Sequence, residues 1–341
     1  MNDQLIAPSS AALGKEHVAR IRAAHDAILG EVRKVIIGQG QVVEEVLTTF
    51  FSGGHCLITG VPGLAKTLLI STLGRAMALT FKRIQFTPDL MPSDIVGHEL
   101  LRESGGQRSL EFVPGAIFSN IVLADEINRT PPKTQAALLE AMQEHQVTSG
   151  GASRKLDEPF FVLATQNPIE HEGTYPLPLA QQDRFMFSLI IGYPTKDEEL
   201  QILDATTSNL AADIRVALTG AELLKAQQIV RLLPAAAPIV KYAVRLAGAS
   251  RPASPHAPDF VKQYVSIGAS LRGSQYLLLG ARARAAMEGR LAVSVDDIKA
   301  VALPVLRHRI VVNFKADAAK LDSNEIVRRL LEVVPGPKAE L

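Results

Sequence analysis

The sequence has few of the features that mark several classes of protein. Its 341 residues include a single cysteine, which excludes a disulfide framework and any cysteine-rich zinc module. It also has no excess of charge of one sign, because 36 basic residues against 35 acidic ones leave a formal net charge of +1. This balance argues against a histone-like coat for nucleic acid and against an acidic disordered tail.

Long apolar runs are missing as well. No run approaches the ~18 residues that a membrane-spanning helix needs, and the first ten residues, MNDQLIAPSS, have neither a basic nor an apolar segment. We therefore expect no signal peptide and no membrane span, and a cytoplasmic location. Hydrophobic residues still make up 47% of the chain, which predicts a large buried core in about two domains.

The order of apolar patterns predicts an α/β domain followed by a helical one. An N-terminal helical segment covers residues 1–34. Five buried strands are expected at 55–59, 83–86, 120–124, 160–164 and 185–191, with helices between most of them. Strands that alternate with helices indicate βαβ units and a parallel sheet, so we predict an α/β domain over residues 35–195.

After Pro194 the strand patterns largely disappear, and a smaller all-α domain is predicted over residues 196–341. Its helices are expected near 196–206, 221–233, 239–249, 271–288, 296–306 and 324–334, several of them behind capping boxes. Two glycine pairs interrupt the α/β domain, Gly105–Gly106 and Gly150–Gly151. Each lies between short extended runs and indicates either an inserted β-hairpin or a simple surface loop.

The strongest chemical signal is a glycine-rich run between the first predicted strand and a helix. It reads Gly60-Val61-Pro62-Gly63-Leu64-Ala65-Lys66-Thr67, followed by Leu68. In such a loop, backbone N–H groups and the helix N-terminus bind phosphate, the lysine reaches the β- and γ-phosphates, and the threonine hydroxyl binds Mg²⁺. Ala65 replaces the usual second glycine, which suits a residue with helical backbone angles. The alternative is a chance glycine-rich turn.

Two further strands end in polar residues. The strand at 120–124 is followed by Asp125 and Glu126, which we expect to hold Mg²⁺ and to polarise the attacking water, respectively. The alternative is an acidic pair that caps the next helix. The strand at 160–164 leads to Asn167, at the edge where open α/β sheets bind ligands. Asn167 suits a residue that orients the attacking water or senses the γ-phosphate, and the alternative is an ordinary turn before proline.

Together these motifs resemble those of the AAA+ ATPases. Glu126 then matches the catalytic Walker B glutamate, and Asn167 matches the sensor 1 position. GVPGLAKT and the blocks at 86–97, 112–144 and 160–185 are similar to the MoxR-type branch, in which an alanine at the position of Ala65 is the usual variant. The resemblance runs from about residue 35 to residue 309. It implies ATP or ADP and Mg²⁺ as cofactors, a ring-shaped homo-oligomer such as a hexamer, and a helical lid as the second domain.

The same resemblance implies roles for residues outside the three motifs. Ile36 and Gly38 fall in the segment that covers the adenine. Arg184 occupies the place of the arginine finger, which reaches the ATP of the neighbouring subunit. Arg129 is a rival for that role, and a surface salt bridge to Asp183 is the alternative for Arg184.

Arg272 resembles the sensor 2 arginine, which contacts the phosphates. If Ser270 caps this helix, Arg272 lies in the first turn, where a cation opposes the helix dipole and a nearby anion would offset the cost. For the other basic residues, the sequence predicts no catalytic role. The helix around 282–290 is expected to present an exposed or intersubunit face. Arg307 and Arg309 are expected at a solvated helix end, and the alternative is contact with nucleotide or with a neighbouring subunit. Cys56 is expected to be a buried structural thiol.

The resemblance implies Mg-dependent ATP hydrolysis that drives remodelling or maturation of a partner protein or a metalloenzyme complex. In this family the partners are often proteins with von Willebrand factor A domains. The alternative is a DNA-acting motor or loader on the same fold, although the neutral net charge counts against a nucleic-acid partner. A regulatory ATP-binding scaffold without turnover is a third hypothesis. Lys66, Asp125, Glu126 and Asn167 argue against it.

Overall fold

The computed structural model describes residues 13–61, 63–104, 107–166, 174–207 and 212–337. Pro62, Gly105–Gly106 and Asn167, about which predictions were made above, lie outside these ranges. Up to residue 195 the chain forms, in order, α1 (Lys15–Val32), α2 (Gly40–Ser52), β1 (Cys56–Gly60), α3 (Lys66–Ala76), β2 (Phe81–Gln85), α4 (Pro92–Val96), β3 (Gly97–Ser104), β4 (Gln107–Pro114), β5 (Ile121–Asp125), α5 (Pro132–Glu144), β6 (Gln146–Ser149), β7 (Ala152–Lys155), β8 (Phe161–Gln166), α6 (Leu179–Gln182) and β9 (Phe187–Ile191).

The five predicted strands form one parallel sheet in the order β2-β5-β8-β1-β9. β5 and β8 are buried along almost their whole length, as expected for strands that are covered on both faces. Because the strands are parallel, their carboxyl ends meet at one edge of the sheet. The loop after β1, Asp125 at the end of β5 and Gln166 at the end of β8 therefore lie side by side.

A β-hairpin is present at each of the two places where the sequence predicts a hairpin or a loop. β3 pairs antiparallel with β4 from Gly97–Pro114 to Ser104–Gln107, and β6 pairs with β7. The first hairpin is longer than the sequence pattern predicts, since it begins at Gly97. That residue has a φ of 89°, and a Cβ there would lie 2.3 Å from the carbonyl oxygen of Val113. A side chain at this position is therefore excluded on both counts.

Helices dominate the rest of the chain: α7 (Lys196–Thr207), α8 (Gly220–Leu232), α9 (Ala237–Ala249), α10 (Asp259–Tyr264), α11 (Leu271–Met287), α12 (Val295–Leu306), α13 (Phe314–Ala318) and α14 (Ser323–Val333). α11 is central and packs against α1, α2, α8, α9 and α12. The sequence predicts capping boxes at Thr219, Ser294 and Asp322; those at Thr219 and Ser294 are present, and Asp322 caps α14 by accepting a hydrogen bond from the N–H of Glu325. α10, α13 and a short antiparallel pair, β10 (Val265–Ile267) with β11 (Val311–Val312), were not predicted because each is too short to show a period.

The hydrophobic core is continuous between the two parts of the chain. One cluster fills the space between one face of the sheet, α1–α3 and the lid helices, and a second covers the opposite face under α5. Cys56 lies in the first cluster with its Sγ 3.0 Å from Thr49 Oγ1, and burial raises its pKa to about 12. Within the described residues no helix is long and apolar enough to cross a membrane.

Candidate active site

The glycine-rich loop between β1 and α3 is shaped by residues with unusual backbone angles. Gly63 has a φ of 84° and Ala65 a φ of 52°, and left-handed residues of this kind let successive N–H groups converge on an anion. Gly60 is required for a different reason, since a Cβ there would lie 2.7 Å from the carbonyl oxygen of Ile191. The expectation of helical backbone angles at Ala65 is wrong. Its left-handed conformation costs roughly 1–2 kcal/mol.

The loop encloses a cavity of about 440 Å³ that brings the two strongest motifs together. Lys66 lies at its centre, and its Nζ donates a hydrogen bond to the carbonyl oxygen of Gly60 at 2.6 Å. Burial lowers the pKa of Lys66, while the charges of Asp125 and Glu126 act in the opposite direction. The cavity is lined by Gly60, Gly63, Leu64, Ala65, Lys66, Thr67, Leu68, Arg83, Asp125, Glu126 and Thr165.

Asp125 is held by two residues that sequence reasoning missed. Arg83 on β2 donates from Nε (3.0 Å) and Nη2 (2.5 Å) to its Oδ2, and the Thr165 hydroxyl on β8 donates to its Oδ1 at 2.5 Å. Both partners come from the strands that flank β5. The sequence gives only a weak signal for them, because Arg83 is the first residue of the strand predicted at 83–86 and Thr165 directly follows the strand predicted at 160–164. The carboxylate is thus oriented towards the cavity from both sides.

Glu126 follows β5 in the left-handed conformation, with a φ of 57°. Its backbone N–H donates to Thr165 Oγ1 at 2.8 Å. Its Oε2 accepts a hydrogen bond from Gln85 Nε2 at 3.0 Å and lies 3.1 Å from Arg129 Nε. The carboxylate is therefore fixed at the mouth of the cavity, and Arg129 contacts the glutamate of its own chain.

The predicted adenine-covering segment lies against the same loop. Ile36 is buried, Gly38 has a φ of 70° and faces Glu198 on α7, and Gln39 Nε2 donates to the carbonyl oxygen of Leu64 at 3.4 Å. Gln39 Oε1 is buried and has no hydrogen-bond partner among the described residues. An orphaned acceptor lies against a loop whose cavity also holds a lysine, a threonine and two carboxylates. This set fits a ligand with N–H donors and phosphates, together with a divalent cation.

Arg184 and Arg272 do not line this cavity. They lie together in a second one of about 600 Å³, between the end of α5 and α11. Arg184 Nη1 donates to the carbonyl oxygen of Leu139 at 3.1 Å, and Arg272 Nη1 is 3.5 Å from Asp183 Oδ2. Ser270 caps α11 by accepting from the N–H of Arg272, as the sequence suggested.

Asp183 forms an ion pair with a residue for which the sequence predicted no such contact. Arg309, only 2% exposed, donates from Nε to Asp183 Oδ1 at 2.9 Å and to the carbonyl oxygens of Asp183 and Phe185. The prediction of a solvated helix end is therefore wrong for Arg309. Its partners are more than 120 residues away along the chain, so no local pattern indicates them.

These features define a class of protein: a P-loop enzyme with a helical lid, whose phosphate loop, lysine and acidic strand end share one cavity. Residues 55–187 match the family model described as "ATPase family associated with various cellular activities (AAA)". Residues 259–330 match the model described as "AAA lid domain".

Comparison with individual proteins assigns the chain to one family within this class. The chain is 42% identical to Chaperone MoxR1 of Mycobacterium tuberculosis, over 90% of this chain and 81% of the relative. It is 39% identical to the uncharacterized protein YeaC of Bacillus subtilis, over 90% of this chain and 92% of the relative. A crystal structure of a candidate ATPase from Cytophaga hutchinsonii is 39% identical and superimposes with a TM-score of 0.89, over 95% of this chain and 98% of that one. The chain belongs to the MoxR family of AAA+ ATPases, and it hydrolyses ATP.

Proposed function

We propose that the protein hydrolyses Mg²⁺-bound ATP in a ring of identical subunits, and that it uses this hydrolysis to remodel or mature other proteins. One observation carries the catalytic part of this proposal. Lys66, Asp125 and Glu126, from two separate motifs, converge on one cavity beside a loop that is shaped for phosphate.

Each residue around the cavity has its own role in ATP binding or hydrolysis. The backbone N–H groups of the loop bind the phosphate chain, and Lys66 exchanges its bond to the Gly60 carbonyl for one to the β- and γ-phosphates. Thr67 and Asp125 are the residues that would hold Mg²⁺, which supplies positive charge to neutralise the phosphates. Glu126, fixed by Gln85 and Arg129, orients the attacking water and accepts its proton. Asn167 keeps its predicted role as γ-phosphate sensor.

Arg184 and Arg272 act, in this proposal, on the nucleotide of the neighbouring subunit. Their location in a separate cavity supports an action between subunits, because neither residue lines the cavity around Lys66. Guanidinium groups stabilise the charge that develops on the transferred phosphoryl group. A head-to-tail interface that places one cavity against the other repeats around a closed ring, for which we propose six subunits.

The proposed client is a protein and not a nucleic acid. A relative that is 42% identical is named as a chaperone, and the β3–β4 hairpin presents Leu101 and Leu110 with 58% and 66% of their surface exposed. These two leucines are paired across the hairpin, and an exposed apolar pair of this kind suits contact with polypeptide. A client with a von Willebrand factor A domain and a cytoplasmic location stay predictions.

Two substitutions test the catalytic proposal. Lys66→Ala should abolish ATP binding, because it removes the cation that reaches the phosphates. Glu126→Gln should retain ATP binding but lower turnover roughly 100-fold or more, the range for loss of a general base. Phosphate release and the binding of a fluorescent ATP analogue measure the two effects. Lys82→Ala is the matched control, since this exposed lysine on β2 lies outside the cavity. Normal turnover in Glu126→Gln would contradict the mechanism.

A further inference from the structure

The cavity that holds Arg184 and Arg272 contains two more arginines with no assigned role. Arg231, in the last turn of α8, and Arg282, in α11, line the same space of about 600 Å³. No aspartate or glutamate lines it among the described residues. Asp183, the carboxylate beside Arg272, already accepts hydrogen bonds from the buried Arg309 and from Ser270.

Two histidines, His55 and His145, also line the cavity, and His145 Nδ1 lies 3.3 Å from Glu158 Oε1. His55 is buried, and burial lowers its pKa to about 4, so it is neutral near pH 7. The remaining polar lining comes from uncharged groups such as Gln143, Gln275 and Tyr276. Four arginines thus line one cavity, and among the described residues only Arg272 has a carboxylate partner, the Asp183 that it shares with Arg309.

Arg282 is the group for which this arrangement costs most. Its Nε is buried and has no hydrogen-bond partner within the described residues. Desolvation, and then repulsion from Arg231, lower the pKa of Arg282. A partly buried cation without a partner is unfavourable for the folded chain. An anion with several oxygen atoms would satisfy Arg282 and offset the repulsion between the arginines.

We propose that Arg231 and Arg282, with Arg184 and Arg272, form a binding site for the phosphate chain of a nucleoside triphosphate. In the assembled ring this phosphate chain belongs to the nucleotide on the neighbour's P-loop. This assignment rests on the proposed action of Arg184 between subunits. Arg231 and Arg282 bind the phosphates, and they make each subunit's affinity for nucleotide depend on the neighbour.

The first experiment asks whether the site binds phosphate chains. Inorganic tripolyphosphate is titrated by calorimetry into the full-length Lys66→Ala protein, in which the P-loop is disabled. Adding Arg231→Gln and Arg282→Gln should weaken binding roughly tenfold or more, the effect of losing charged hydrogen bonds. The control carries Arg20→Gln and Arg33→Gln, which remove two exposed cations of α1 and its end, outside this cavity. Absent binding, or equal affinity in all three proteins, overturns the proposal.

The second experiment identifies the source of the phosphate chain. Subunits with Arg231→Gln and Arg282→Gln keep their P-loop, whereas Lys66→Ala subunits keep their arginines. If the site acts on the neighbour's nucleotide, each protein alone is slow and their mixture recovers ATP turnover. Tripolyphosphate binding without recovery assigns the site to a free phosphate compound and overturns the intersubunit assignment. Full turnover by the Arg231→Gln, Arg282→Gln protein alone also overturns the intersubunit assignment.

Two reference measurements separate this proposal from the one on which it rests. A mixture of Arg184→Ala and Lys66→Ala subunits reports on the intersubunit action itself. Recovery there, but not with the Arg231→Gln, Arg282→Gln protein, rejects only the further inference. Thermal unfolding tests folding directly: because Arg282 is partly buried and unpaired, its replacement by glutamine should leave the melting temperature unchanged or raised. A lowered melting temperature would show that the two arginines have a structural role instead.

Discussion

His55 is a buried histidine whose two ring nitrogens have partners of opposite kinds. Its Nδ1 accepts a hydrogen bond from the N–H of Val162, and its Nε2 donates to the carbonyl oxygen of Met142, both at 3.1 Å. Only the neutral ring with its proton on Nε2 satisfies both partners. Protonation would break the bond to Val162 and place a charge in the core. Burial accordingly lowers the pKa of His55 from 6.5 to about 4.

This residue should make the stability of the fold depend on pH. The folded pKa is lower than the unfolded one, so the contribution of His55 is fully present above pH 6.5 and is lost as the pH falls towards about 4. The loss at pH 5 is about 2 kcal/mol. In urea unfolding, the difference in free energy of unfolding between wild type and His55→Gln should therefore shrink by about that amount from pH 7 to pH 5. His256→Gln, at an exposed site, is the control. A difference that does not vary with pH would contradict the assignment.

At the scale of single residues, the sequence predicts those parts of the site that are contiguous in the chain. The run from Gly60 to Thr67 and the Asp125–Glu126 pair lie where the motifs indicate, in one cavity. Arg83 and Thr165 could not be assigned, because their contact with Asp125 depends on which strands are neighbours in the sheet. The conformation of Ala65 was predicted wrongly, since the requirement for a left-handed residue comes from the closed shape of the loop.

At the scale of elements, the five parallel strands and most helices were predicted to within a few residues, because their apolar periods are long. The side-chain contacts that join these elements were not predicted. The junction of the lid with the sheet depends on Arg309, just beyond α12, and on Asp183, just beyond α6. Arg309 also packs over the ring of Tyr276 on α11, 5.0 Å from the ring centroid. This one contact cluster ties the lid to the segment that carries Arg184.

Removing the carboxylate of this cluster should destabilise the junction strongly. Asp183→Asn leaves the Arg309 guanidinium buried without its counter-charge, which typically costs about 3–5 kcal/mol. Urea unfolding measures the loss. Asp183→Asn combined with Arg309→Met should recover much of it, since no unpaired charge remains. Asp259→Asn removes an exposed partner of Lys262 and should cost less than about 1 kcal/mol. If Asp183→Asn behaved like that control, the ion pair would not stabilise the junction.

At the scale of the whole molecule, two cavities that differ in charge are the main feature. One gathers Lys66, Arg83, Asp125 and Glu126 beside the phosphate loop, so that its cations and anions balance, and the other gathers four arginines. The net charge of +1 therefore conceals an uneven distribution of charge between two sites on the same chain. Two such sites on one subunit suit a heterologous contact, in which each subunit offers a different surface to each neighbour, and contacts of this kind close into rings.

The ring can be tested by mixing subunits with different defects. Arg184→Ala and Glu126→Gln should each be nearly inactive alone. In a one-to-one mixture, roughly a quarter of the interfaces combine an intact Glu126 with an intact Arg184, so turnover should recover to about that fraction of wild type. Native mass spectrometry of the mixture gives the number of subunits. A mixture of Arg129→Ala and Glu126→Gln subunits is the control. Arg129 contacts Glu126 of its own chain, so each active site takes both residues from one subunit, every site keeps one defect, and turnover should not recover. Recovery with Arg129→Ala but not with Arg184→Ala would make Arg129 the residue that acts between subunits.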